Sequence, residues 1–178
     1  TKASHFAIHD AVAESLKHRV EDRFWNEHNF VFRKSDGLFY HAKGATPAWT
    51  DFAPDSSGLA IIPLNMAEPV LIVRGRNARH GLGFAPHGAG RNHSRGQYLR
   101  TLQGRDAAEV VREQTRGLDI RFFSGHPDLS ELPGAYKNAK AVKAQIDRFA
   151  LAEVVDQVDP VGCIMAGDWM IDAPWRKR

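Results

Sequence analysis

Ten consecutive residues, Pro86-His87-Gly88-Ala89-Gly90-Arg91-Asn92-His93-Ser94-Arg95, bring together two imidazoles, two guanidiniums, a hydroxyl and two glycines. Glycines on either side of one alanine let the backbone turn tightly and approach a ligand without a Cβ in the way. Turns of this kind aim several N–H groups at one point and bind anions. Arg91 and Arg95 are spaced to share a face if a helix starts after the glycines, and guanidinium forks suit phosphate oxygens. His87 stands just before this nest, where an imidazole can act as acid, base, metal ligand or phosphoryl acceptor. The plain alternative is a glycine turn followed by a solvated basic helix start.

The elements that must hold this stretch can be read on either side of it. Ile8, Val12, Leu16, Val20 and Phe24 recur every fourth residue, which predicts an amphipathic helix over residues 4–26. His28 falls at the end of the same stripe, where a hydrogen-bonded imidazole at a helix terminus is the ordinary expectation. Phe30 to Arg33 and Leu38 to His41 read as strands of a hairpin turning at Ser35-Asp36-Gly37. A basic glycine loop follows, with Lys43 either at a ligand or in water.

Leu59 to Pro63 and Val70 to Val73 read as buried strands, and residues 74–83 as loop. A helix is expected from His93 or Ser94 to Gln103, another over 107–116, a strand over 120–123, and a helix over 141–149. Val154 to Val158 and Val161 to Met165 are expected to close the core, with Cys163 as an inert core thiol. Tyr136 and Lys137 read as a surface turn, and the basic tail from Trp175 to Arg178 as frayed. Strand pairs and helices without regular βαβ alternation predict an α+β domain, a mixed sheet with flanking helices.

The chain has 178 residues, enough for one domain with a core. Its net charge of +3 and nine histidines permit a polyanionic partner without demanding one. A single cysteine excludes an internal disulfide framework and fits a reducing cytoplasm. No apolar run reaches membrane-spanning length. The chain opens on Thr1-Lys2 rather than Met, as a piece of a longer protein would.

Several segments, in order, carry a resemblance. They are His28-Asn29 after a helix, His41-Ala42-Lys43-Gly44-Ala45-Thr46, Ile62-Pro63 before a short loop and strand, Pro86 to Arg91 with Ser94-Arg95, and Pro133-Gly134-Ala135-Tyr136-Lys137-Asn138. From about His28 to Gly167 the chain resembles the carboxy-terminal half of the RtcB family of RNA-splicing ligases. The resemblance implies an enzyme that joins RNA 3′-phosphate or 2′,3′-cyclic phosphate ends to 5′-hydroxyl ends, using GTP and Mn²⁺ through a histidine–GMP intermediate. It implies His87 as the guanylylated histidine and His28 as a metal ligand, with Asn29 beside it near the nucleotide. Gly88, Ala89 and Gly90 would hug the GMP. Pro63, Leu64, Asn65 and Met66, with Val70, fall where the family holds the guanosine. Lys43, Arg91 and Arg95 would face nucleotide or RNA phosphates.

The same resemblance implies a missing amino-terminal half that supplies an Asp, a Cys and two His ligands. It also marks altered base-recognition groups. The family's Gly-Ser-Met-Gly loop stands here as Leu64-Asn65-Met66-Ala67, Val70 replaces a serine, and no lysine occurs near Met165. A non-catalytic RNA-binding module that keeps the phosphate pocket is the competing expectation.

Overall fold

The computed structural model describes residues 2–23, 25–49, 52 and 57–169. In chain order these form α1 (Lys2–Leu16), β1 (Val31–Arg33), β2 (Phe39–His41), β3 (Ala45–Pro47), β4 (Leu59–Pro63), β5 (Val70–Gly75), β6 (Phe84–Pro86), α2 (Arg95–Thr101), α3 (Ala107–Gln114), β7 (Asp119–Phe122), α4 (Ala139–Arg148), β8 (Ala152–Val158) and β9 (Gly162–Met165). The fold class is α+β, as the sequence predicts. Its strands are distributed over one three-stranded sheet, ordered β4-β5-β8, and three two-stranded pairs, β1-β2, β3-β6 and β7-β9. All pairings are antiparallel except β7 with β9. Among the described residues no helix is long and apolar enough to cross a membrane.

Alternation makes the central sheet. Ala60 and Ile62 of β4 point inward while Ile61 points out, and across the ladder Ile62 faces Leu71 and Ala60 faces Val73. Ile146 of α4 closes over the same face, so Ile62, Leu71, Val73 and Ile146 are fully buried. Each such side chain contributes about 1.5–3 kcal/mol of burial energy. Asn138 caps α4 by accepting from the Ala141 N–H, which sets where that helix starts. A second cluster joins Tyr98 of α2, Leu102 just after it, Val110 of α3, Leu132 and Ala135. Tyr136 packs against both clusters and is half-buried, so it is no surface turn.

The amphipathic helix expected over 4–26 stops at Leu16. Lys17 takes a left-handed φ of 54° and ends it. Its apolar stripe is not a core stripe: Ile8, Val12, Leu16 and Val20 are 47–61% exposed. A strict four-residue step overshoots a full helical turn by about 40° each time, so five such residues cannot stay on one buried face. Phe24 and the Trp175–Arg178 tail lie outside the described residues.

Of the two closing strands, β8 joins the central sheet beside β5 with Val154 packed on its core, and only the last departs from expectation. β7 and β9 make a pair of their own, with Val161 and Ile164 more than 80% exposed. A pair unexpected from the sequence, β3 with β6, sets Ala45 opposite Pro86 and brings the basic glycine loop to His87.

Candidate active site

His87 emerges directly from β6. Its N–H donates to the Gly44 carbonyl at 3.2 Å. The loop that carries Gly44 is fixed in turn by Asn29, whose Oδ1 accepts from the Gly44 N–H at 2.7 Å and whose N–H donates to the Ala45 carbonyl at 3.3 Å. Asn29 adopts a left-handed φ of 53°, which asparagine tolerates better than most residues. Its carbonyl oxygen is therefore engaged in holding the backbone behind His87.

Asn26, which sequence reasoning did not single out, completes the clamp. It is buried, donates to Thr46 Oγ1 at 2.5 Å and accepts from the Ile61 N–H at 3.2 Å. Nothing in the local pattern marks it, because its partners lie in two distant strands.

His28 and His87 are brought together with parallel rings, 5.2 Å between centroids. His87 is half-buried and its pKa lies below the ordinary 6.5, chiefly from burial and then from the neighbouring His28 and Lys43. Beyond it, the N–H groups of Gly88, Ala89 and Gly90 meet no backbone acceptor among the described residues. Gly90 has φ +70°, and its carbonyl accepts from the Lys137 N–H at 3.0 Å. Asn92 donates to the Ala135 and Tyr136 carbonyls. The nest is thus stitched to the Pro133–Asn138 segment while its own donors stay available.

Gly88, Ala89 and Gly90 line a cavity of about 640 Å³. Pro63, Leu64, Asn65, Met66 and Val70 line it with His87 through Arg91, and Arg95, Tyr136, Cys163, Met165 and the carboxylates of Glu68 and Glu131 are among its other walls. The geometry therefore gathers the segments expected around a nucleotide. Asn29 and Lys43 line neither this cavity nor a smaller one of about 180 Å³ behind His87. That smaller space holds His28 together with His5 and His9 of α1, two imidazoles the sequence reading passed over.

Arg91 and Arg95 do not share a helix face. Ser94 caps α2 in a capping box with Gln97, so the helix begins at Arg95 and Arg91 precedes it, bridged to Tyr136. The two guanidiniums meet through Glu131 instead. Arg95 binds this carboxylate through Nε at 3.1 Å and also through Nη2, Arg91 Nη1 lies 3.6 Å away, and the Tyr136 hydroxyl donates to it. Arg91 also donates to the Ser130 carbonyl at 2.5 Å and sits 5.2 Å from the centre of the Tyr136 ring. Burial, then the bond to Glu131, push the Tyr136 pKa up to about 12. Glu131 gave no signal in the sequence beyond its place near the collinear Pro133 segment.

Cys163 is a cavity-wall residue rather than a core thiol. It is half-buried, 3.4 Å from the Met165 sulfur, and burial raises its pKa. Among the described residues no three His, Cys, Asp or Glu side chains stand close enough to hold a metal ion. The donor set of the described residues therefore does not fit a manganese centre by itself.

A cavity that ends in a half-buried neutral histidine, an open N–H nest and two arginines can take an anionic group and transfer it. A search of the curated proteins finds no match. The family model described as tRNA-splicing ligase RtcB matches residues 3–166, nearly the whole chain. Its collinear motifs and this family match agree, and the chain belongs to the RtcB family.

Proposed function

We propose that this chain is the carboxy-terminal, nucleotide-transferring portion of an RtcB-type RNA ligase, with His87 as its nucleophile. RtcB membership makes this a domain of RNA-ligase type acting on RNA. One observation carries the finer reading: His87 lines one cavity with Gly88, Ala89 and Gly90, whose N–H groups meet no backbone acceptor among the described residues, and with the segments where the family holds GMP.

A neutral imidazole has the lone pair the reaction needs. A ring nitrogen of His87 attacks the α-phosphorus of GTP. The N–P bond forms as the α–β bridging bond breaks, pyrophosphate leaves, and the imidazole proton passes to solvent. An oxygen of the RNA 3′-phosphate then takes the GMP, breaking the N–P bond. Attack by the 5′-hydroxyl on that 3′-phosphate joins the strands and releases GMP. Gly88, Ala89 and Gly90 hold the transferred phosphate through backbone N–H groups, and Arg91 and Arg95 offset its charge. Asn29 and Lys43 act from behind, by position and by charge. Manganese belongs to the complete protein: His28 would give one ligand, and the remainder would come from an amino-terminal half.

The test is an adduct assay. The complete protein, given Mn²⁺ and labelled nucleotide, should form an acid-labile, base-stable nucleotidyl adduct that maps to His87. His87→Ala should abolish the adduct and ligation with the fold intact, and His93→Ala should retain both. An adduct on another residue, or ligation by His87→Ala, overturns the assignment. The altered nucleotide loop Leu64-Asn65-Met66-Ala67, whose first three residues wall the cavity without the family's serine, favours one second reading, an RNA-binding module without catalysis. Absence of any adduct in the complete protein would select it.

A further inference from the structure

Beyond Arg95 lies another groove of about 700 Å³, walled in part by Leu99, His126, Asp128, Asp168 and Trp169. Arg95 walls both this groove and the His87 cavity, so one guanidinium joins them. At its edge the Trp169 and Phe123 rings lie 5.5 Å apart, although 63% and 78% exposed. Large rings held in contact yet open to water are what unpaired bases stack upon.

The platform is built rather than incidental. Phe123 donates its N–H to the Met165 carbonyl at 2.9 Å, tying it to the end of β9. Gly167 turns the chain with φ +80° so closely that a Cβ would collide with Ser124 Oγ, and Asp168 N–H then donates to the His126 carbonyl at 2.8 Å. These contacts fix Trp169 beside Phe123.

The geometry points to this groove as the seat of the single RNA strand whose 3′-phosphate enters the His87 cavity. The identity of the strand rests on the ligase reading above. Bases preceding the 3′ end stack on Trp169 and Phe123, and Arg95 takes the phosphate between the two spaces. The Asp128 carboxylate disfavours phosphates within the groove, which turns the bases inward and leaves the backbone at the rim. A duplex, whose bases are already stacked on one another, gains nothing here.

The experiment measures binding of two probes to the complete protein: a 3′-phosphorylated octauridylate and uridine 3′-phosphate. Trp169→Ala and Phe123→Ala should each weaken octamer binding about tenfold, the scale of a lost base–aromatic stack. Mononucleotide binding should be unchanged, and Trp169→Phe should recover most of the loss. Unchanged octamer affinity in both alanine variants overturns the proposal, as does an equal loss for the mononucleotide. The His87 adduct, read in the same variants, separates the two claims. An adduct without aromatic dependence sinks the groove alone, and aromatic dependence without any adduct in the parent protein supports the groove and sinks the ligase reading.

Discussion

The rings of His28 and His87 are 7° from parallel, with 5.2 Å between their centroids. At that separation a proton on one ring disfavours a proton on the other. Burial and the Lys43 ammonium act on His87 in the same direction. Burial first, and then these two neighbours, lower the pKa of His87 and favour the neutral ring, which is the form a nucleophile requires.

A pH dependence follows from that direction. Adduct formation should be level above about pH 6.5, the ordinary histidine value, and fall only at lower pH. Lys43→Met removes one positive neighbour and should move this acid limb upward, but not past the ordinary value, because burial is the larger cause. Folding linkage has the same sign. A histidine whose folded pKa is depressed adds stability in full above the unfolded value, and loses it as pH falls from there toward the folded value. Titration of the His87 ring by NMR in both proteins measures the shift; a lower pKa in Lys43→Met would contradict the account.

Gly88 sets the distance between nest and nucleotide loop. A Cβ there would meet the Pro63 carbonyl at 2.9 Å, and backbone cannot swing aside as a side chain can. Gly88→Ala should cost roughly 1–3 kcal/mol, as overpacking does, and should reduce adduct formation as the loop shifts. Gly104 is the control. It has φ +82° and open space around its missing Cβ. Gly104→Ala should carry only backbone strain, on the order of 1 kcal/mol, and leave the adduct rate as it was. Thermal denaturation and adduct kinetics read both variants.

What could be read in the chain depended on the range of the interaction. α3 and α4 show in their spacing, and β4 and β5 show as short continuous apolar runs, because each is decided within a few residues. The Ser94 cap places α2 for the same reason. The β3–β6 pair left no local trace: three residues containing a proline pair with three more residues that end in another. The chemistry-bearing types at His87 to Arg91 were visible, yet the contact that orders the arginines was not. Glu131 lies in a short turn far along the chain, and only the folded Pro133–Asn138 segment carries it to them. The α1 stripe misled because a strict four-residue repeat drifts around the helix and so does not mark one buried face.

Metal binding by this chain alone should be weak. Among the described residues no third ligand joins His28 and His87, and one or two imidazoles do not complete a Mn²⁺ site. Calorimetric titration of the isolated chain should show no micromolar site. Micromolar binding that survives His28→Ala would remove His28 from the ligand set.

The arginines and Glu131 give opposed predictions. Arg91→Ala and Arg95→Ala should each weaken RNA binding with little sequence preference and lower the salt slope by about one, because each lost phosphate contact releases fewer counterions. Their costs in stability should differ. The Arg91 side chain is 23% exposed and stacked on Tyr136, whereas Arg95 is 64% exposed. Arg91→Ala should therefore lower the melting temperature more, and Arg95→Ala should barely move it. Glu131→Gln should act the other way on RNA. It removes the negative charge that both guanidiniums share, so binding should tighten and the salt slope steepen. It also weakens the acceptor used by Arg95 and Tyr136 and should cost about 1–3 kcal/mol of stability. Tighter RNA binding in a less stable protein identifies Glu131 as the group that holds the arginines for an incoming phosphate. Weaker binding, at equal folded fraction, would mean that Glu131 aims the guanidiniums and that their order matters more than their net charge.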